Sequence, residues 1–371
     1  MSVVMAVPAL MDVAATDKLH RVPRPTITRS ARPAVRAAIA GVGSWVPDQV
    51  VTSEEVERRI TEASHMHNFA PRPGVVTERT GVRERRYKLP HENASDMAVR
   101  AAERALEQAG ASIDEIDLII FASSSQDLVE PATAHLVSYK LGADGAMVFD
   151  VKNACNSFMN GMQVADGLIR TGQYEKVLVC TGEAPSEAIR WELKDEEQMK
   201  RSFAGYTFGD AGAAMVLEGR SDGTGIRYLD FQAASRHWEI CTLRAGGTMH
   251  PRDPEYTYFS GDGNSLRDAF LELGPQILFD CFERTKTSFD DYDVVIFHQV
   301  TGPFLDLFLT ISGVPESKIV RTIDTLGNVA SATMPLQLGR AIDDGRAERG
   351  SNVLWIGLAA GISVGVMATR L

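Results

Sequence analysis

The sequence predicts an α/β protein made of two similar halves. Short apolar runs of strand length alternate with amphipathic runs of helical spacing, and the alternation starts again after the segment GRSDGTG at 219–225. The length of 371 residues suits two domains or one large two-lobed unit. The expected organisation is therefore a flexible extension over 1–35, an N-terminal half over 36–220 and a C-terminal half over 221–371. The two halves share no sequence repeat strong enough to prove a duplication.

Residues 1–35 contain Pro8, Pro23, Pro25 and Pro33 among scattered arginines, the composition of an arm outside the main fold. Order is expected to begin at 35–43, an apolar run ending in GVG, and Thr52 to Glu55 supply an N-cap and early acidic residues for a helix. In SDMAVRAAERALEQAG, Ala98, Ala101, Ala105 and Leu106 fall on one side and Gly110 stops the helix. IDLIIFAS, 116–123, is apolar almost throughout and reads as a strand covered on both faces. A short helix is expected over 133–141 and a buried strand over 148–151. Asn153 and Ala154 break that strand, and Cys155 stands where Phe158, Met162, Ala165 and Ile169 begin a helical stripe that ends near Gly172. A strand follows at 176–181, and FGDAGAAMVLE, 208–218, reads as a glycine-rich turn entering another.

In the second half, 266–284 reads as one long helix, 294–297 as a buried strand ending at His298, and 303–312 as a helix. Asn328 is expected to open a helical segment containing Pro335. Two final strands, 352–357 and 362–368, are joined by Leu358, Ala359, Ala360 and Gly361.

A net charge of −11 and a pI near 5.3 exclude a basic nucleic-acid-binding surface. The densest basic patch, RTGVRERRYK at 79–88, reads either as a solvated surface segment or as a landing site for ligand phosphates or an acidic carrier protein. Cys155, Cys180, Cys241 and Cys281 form no CxxC pair, so neither a metal site nor a disulfide framework is expected, and a reduced, cytoplasmic setting fits. The first residues lack a basic n-region and carry Asp12 and Asp17, which makes a poor secretory signal. No run of 18 or more apolar residues predicts a membrane span.

Three polar residues occupy the places where α/β sheets bind ligands: Cys155 at a strand-to-helix elbow, His298 at a strand end, and Asn328 at a helix start. A helix N-terminus favours thiolate over thiol, so Cys155 is expected to have a lowered pKa and to act as a nucleophile. The alternative for each residue alone is structural: a buried small residue, a satisfied core histidine and a simple N-cap.

The surrounding motifs carry a resemblance. NAC before the helix, RTGVRERR at 79–86, FGDAGAA at 208–214, HQV at 298–300 and LGN at 326–328 running into VASATMP together resemble a β-ketoacyl synthase III-type condensing enzyme of the thiolase superfamily, from about residue 35 onward. The resemblance implies a homodimer of five-layered αβαβα subunits with the acyl group carried on Cys155. It also implies that His298 and Asn328 donate hydrogen bonds to an enolate oxygen and that the amides of Cys155 and Ala360 form an oxyanion hole. Arg79, Phe208 and Thr301 are the implied substrate-binding residues. No cofactor is implied: CoA, or the phosphopantetheine of an acyl carrier protein, enters as part of the acyl thioester substrate.

Several positions depart from the family pattern. LAAG replaces a more glycine-rich turn around Ala360, Thr301-Gly302-Pro303 replaces an Asn and a basic residue after HQ, and Val75 stands where an aromatic ring commonly stacks on adenine. In LVEPATA, Glu130 lies at a position that is usually apolar. A glutamate there resembles the condensing enzymes of olefin biosynthesis and the related pyrone synthases, in which it serves as a base reaching into the partner's acyl pocket. The expected activity is Claisen condensation of acyl thioesters, with non-decarboxylative coupling of two acyl or β-ketoacyl chains favoured. The alternatives are decarboxylative extension with a malonyl thioester, acyl transfer to an alcohol or amine, and a non-catalytic partner subunit of another synthase.

Overall fold

The computed structural model describes residues 35–371, so the extension expected over 1–35 lies, apart from Val35, outside the described residues. The first half contains β1 (Arg36–Trp45), β2 (Gln49–Thr52), α1 (Ser53–Ala63), α2 (Val75–Thr80), β3 (Glu84–Tyr87), α3 (Ala94–Ala109), β4 (Leu118–Ala122), α4 (Thr133–Leu141), β5 (Met147–Val151), α5 (Ser157–Arg170), β6 (Lys176–Glu183), α6 (Glu196–Ser202) and β7 (Ala211–Arg220). The second contains β8 (Gly225–Ala233), β9 (Cys241–Thr242), β10 (Ser260–Gly261), α7 (Gly263–Leu273), α8 (Gln276–Thr285), β11 (Val294–Phe297), α9 (Gly302–Ser312), α10 (Ile323–Leu326), α11 (Thr333–Asp343), β12 (Asn352–Ala359) and β13 (Ser363–Arg370).

One sheet has five strands in the order β1-β7-β6-β4-β5, with β4 parallel to both β5 and β6. The other has four in the order β11-β12-β13-β8, with only β11 and β12 parallel. Period-two alternation explains the layering. Leu118, Ile120 and Ala122 of β4 face inward to α5 and α11, whereas Ile119 and Phe121 face outward to α3 and α4. In the second sheet Val294 and Ile296 face the same central helices, while Val295 and Phe297 pack outward on α8 and α9. The result is five layers, α-β-α-β-α, with α5 and α11 between the sheets. No helix among the described residues is long and apolar enough to cross a membrane.

Small residues allow the tightest contact. A Cβ on Gly41 or Gly43 would come within 2.2 or 2.0 Å of the carbonyl oxygens of Ala105 or Ala101, so the GVG that ends the first apolar run lets α3 rest directly on β1.

Three local expectations need correction, and one strand went unannounced. β5 is an edge strand with Met147 and Asp150 exposed, because pairing on one side only leaves it uncovered within this chain. The long helix over 266–284 is two helices, broken by Gly274 at φ 66° and by Pro275. Asn328 does not open a helix. It sits in extended pairing with Phe208, and the helix begins at Thr333, where Pro335 falls in the first turn and its missing N–H costs nothing. The strand β8 carried too little apolar periodicity to be anticipated after the 219–225 segment.

Candidate active site

The nucleophile elbow is held by short-range hydrogen bonds. The Asn153 amide donates to Ser157 Oγ at 2.8 Å, Ser157 Oγ donates to the Ala154 carbonyl at 2.7 Å, and Asn153 Nδ2 donates to Asn160 Oδ1 at 2.8 Å. Ala154 is thereby kept at a left-handed φ of 47°, a conformation costly for a residue with a Cβ. Asn156 then joins the elbow to the other half: its Nδ2 donates to the Ser363 carbonyl at 3.2 Å and to Ser363 Oγ at 3.0 Å. That bond fixes the turn between β12 and β13 beside Cys155. The left-handed angles of this turn fall on Gly361 (φ 75°) and Ile362 (φ 50°), so an alanine at 360 is tolerated. The amides of Cys155 and Ala360 both lie close enough to the Cys155 sulfur to favour its thiolate, and hence converge on one point.

His298 caps the end of β11, its amide donating to the Ile356 carbonyl at 3.0 Å. The ring is fully buried, and neither nitrogen has a hydrogen-bond partner among the described residues. Burial pushes its pKa down to about 4, leaving a neutral imidazole with a free donor and a free acceptor. The loop beyond it is pinned by Gln299, whose Nε2 donates to the Val320 carbonyl at 2.8 Å while Oε1 accepts from the amides of Thr322 and Ile323 at 2.8 and 2.9 Å.

Asn328 is held by its backbone and its own carbonyl. Its amide donates to the Thr207 carbonyl at 2.7 Å, its backbone oxygen accepts from Gly209 at 3.1 Å, and Oδ1 accepts from the Ala330 amide at 3.0 Å. Nδ2 is the group left to serve as donor. The glycines of FGD and LGN permit this pairing, since a Cβ on Gly209 would stand 2.0 Å from the Leu326 oxygen and one on Gly327 2.3 Å from the Thr207 oxygen. Ala330 adopts φ 46°, a third strained residue next to the site.

Cys155, His298, Asn328 and Ala360 all line one cavity of about 1280 Å³. Phe208 forms part of its wall, edge-on to Phe259 at 5.0 Å, and the segment 238–264 contributes Cys241, Leu243 and Phe259 to the lining. Thr301 also borders it, but its Oγ1 accepts from the Phe304 amide at 3.2 Å and caps α9. Arg79 lies exposed at the rim with its guanidinium 5.4 Å from the Phe203 ring.

The basic patch divides. Arg85 is fully buried and donates to the Val51 carbonyl, Ser53 Oγ and the Tyr206 carbonyl at 3.3, 3.1 and 2.8 Å, so it is structural and unavailable to ligand phosphates. Val75 is likewise packed into a hydrophobic cluster under α1. Glu130 lies on an exposed loop and is not among the residues lining this chain's own cavity.

The expected lowering of the Cys155 pKa is overturned. Burial pushes the thiol up, and the carboxylate of Glu183 and then Cys241 add to the effect, outweighing the backbone amides that favour thiolate. The physical reason is that α5 begins two residues beyond Cys155, whereas the enclosing cavity acts on the sulfur itself. Asn156, Gln299, Glu183 and Ser363 were not singled out from sequence. HQ and the single asparagine after Cys155 were the available signals for two of them.

Residues 149–236 match the family 3-oxoacyl-[acyl-carrier-protein (ACP)] synthase III, and residues 282–371 match its C-terminal part. The β-ketoacyl-[acyl-carrier-protein] synthase III of Symbiobacterium thermophilum is 32% identical over 339 residues, covering 90% of this chain and 97% of the relative. The chain belongs to this family. The Erythrobacter litoralis relative is 31% identical over 339 residues, covering 91% and 99%. Among solved structures, Xanthomonas campestris OleA with bound lauric acid and lauroyl-CoA superposes with a TM-score of 0.81 at 26% identity, covering 91% of this chain and 99% of that one. The synthase III of Aquifex aeolicus superposes with a TM-score of 0.78 at 27% identity, covering 90% and 100%. The five layers are thus those of the thiolase fold, and the protein is a condensing enzyme of the acyltransferase type.

Proposed function

We propose that this enzyme couples two acyl thioesters by non-decarboxylative Claisen condensation, through an acyl group on Cys155 and with Glu130 of the partner subunit as base. The observation that carries the condensing chemistry is the convergence of a thiol, two amides, an unpartnered imidazole and an asparagine amide on one cavity. Cys155 Sγ attacks the first thioester carbonyl, the thiol proton passes to the departing CoA or phosphopantetheine sulfur, and the acyl group remains on Cys155. The Glu130 carboxylate removes an α-proton from the second thioester. The resulting enolate oxygen accepts hydrogen bonds from His298 and Asn328 Nδ2. Its carbon attacks the acyl-cysteine, the amides of Cys155 and Ala360 hold the tetrahedral oxyanion, and collapse releases Cys155 and a 2-substituted β-ketoacyl thioester.

Support for Glu130 comes from spacing. Xanthomonas campestris OleA has been crystallised as variants at a cysteine, at a glutamate 26 positions before it and at a histidine 142 positions after it. Here Glu130 precedes Cys155 by 25 positions and His298 follows it by 143. A homodimer is supported by the open edge of β5 and by exposed Leu128, Val129, Tyr139 and Met147 on or beside the Glu130 loop, α4 and β5. The second reading, decarboxylative extension by a malonyl thioester, is favoured by the acyl-carrier-protein synthase III relatives.

Acyl-CoA, with and without labelled malonyl thioester, separates the two. The proposal expects β-ketoacyl product from acyl-CoA alone and its loss in Glu130→Gln, with Cys155 still acylated. Stoichiometric release of carbon dioxide from malonyl thioester, with full activity in Glu130→Gln, overturns it in favour of the second reading.

A further inference from the structure

A buried carboxylate behind the nucleophile has no part in the steps above. Glu183 ends β6, is fully buried and does not line the cavity. Its Oε1 accepts from the Ser124 amide at 2.8 Å, from the Ser331 amide at 3.3 Å and from Ser331 Oγ. Its Oε2 accepts from Ser124 Oγ at 2.6 Å and from the amide and Oγ of Ser125 at 3.2 and 2.8 Å. Backbone N–H groups cannot accept, so amide donors on both oxygens match a carboxylate rather than a carboxylic acid.

The partners matter as much as the charge. Ser124 and Ser125 line the cavity and begin the loop that runs on to Glu130. Ser331 lies three residues after Asn328, and Ala330 between them gives its amide to Asn328 Oδ1. One buried group therefore ties together the origin of the Glu130 loop and the turn that orients the Asn328 donor. It does so from a place where its charge also reaches the Cys155 thiol.

We propose that Glu183 is a positioning residue of the condensation: it fastens the 124–125 loop to the 328–331 turn and sets a fixed negative charge behind Cys155. The fastening keeps the Asn328 amide aimed for the enolate. The charge adds to burial in keeping the resting thiol protonated, which protects it from adventitious electrophiles. The titratable groups acting on Cys155 are Glu183 and Cys241, with His298 lining the same cavity.

The inference rests on acyl transfer through Cys155, but its test also has a readout independent of condensation. Alkylation of Cys155 by iodoacetamide, followed by peptide mass spectrometry across pH, reports the thiol directly. In Glu183→Gln the inflection of rate against pH should move to lower pH by on the order of one unit, as removal of a nearby like charge requires. Turnover should fall at least tenfold. An unmoved inflection, or unchanged turnover, overturns the proposal. Should Glu183→Gln fail to fold, Ser331→Ala keeps the charge and removes one tether. Its acyl-cysteine adduct should form normally while product formation falls at least fivefold, and product formation within twofold of the parent overturns the proposal. Absence of any condensation product in the parent enzyme would instead refute the proposed reaction, and the alkylation profile would still decide the role of the charge.

Discussion

The fully buried, unpartnered imidazole of His298 makes acid stability a direct probe of the site. In the unfolded chain a histidine takes up its proton near pH 6.5, whereas here burial delays protonation until about pH 4. Between those values the unfolded chain binds more protons. Stability from this group is therefore complete above pH 6.5 and is lost as pH falls toward 4. At about 1.36 kcal/mol per pH unit the full loss is about 3 kcal/mol, of which about 2 kcal/mol has gone by pH 5. Asp210 opposes the trend, because burial holds its carboxyl up at about 6 and so favours the folded state in acid. A difference between two proteins cancels that contribution. Urea unfolding of the parent and of His298→Asn at pH 7.5 and pH 5.0 should show the parent losing about 2 kcal/mol more than the variant over that interval. Equal losses would refute the reasoning, since they would mean that the imidazole is solvated or paired in the folded protein. The same neutrality implies that turnover shows no inflection near pH 6.5 arising from His298.

Two further predictions follow from close contacts. Asn328→Ala should leave acylation of Cys155 intact but lower condensation by about 10²- to 10³-fold, the usual effect of removing one donor from a developing oxyanion; intact-protein mass and product formation, measured side by side, check it. Gly357→Ala would place a Cβ 2.2 Å from Asn156 Oδ1 and 2.8 Å from Met159 Sδ. It should lower the free energy of urea unfolding by about 1–3 kcal/mol and slow acylation, because the elbow must shift.

Much of this architecture is legible along the chain, because the forces that set it are local. The nearly unbroken apolar run of IDLIIFAS announced a strand covered on both faces, and Thr52 and Gly110 marked helix ends. Other features depend on which elements become neighbours. The apolar run of β5 looks like a core strand until the sheet order leaves it at an edge. Cys155 obeys a helix-terminus rule in isolation, yet burial in the enclosing cavity, helped by a carboxylate 28 residues away in sequence, reverses the outcome. Arg85 reads as one more cation of a basic run, and only its position beneath Gly209 and Gly327 shows that it carries structure. The break at Gly274-Pro275, by contrast, was written in the local residues and should be weighed above helical periodicity.

The bond from Asn156 to Ser363 spans 207 positions of chain. Contacts of that separation form late, after the loop-closure entropy of everything between them has been overcome. The thiol elbow can assemble with its own half, but the second amide of its cradle arrives only when β13 docks. Appearance of acyl-cysteine during refolding would therefore time the last long-range closure of the protein. Local loosening of the two C-terminal strands would silence the enzyme while the nucleophile stayed in place, so hydrogen exchange at Ser363 and Val364 should track the loss of activity on heating.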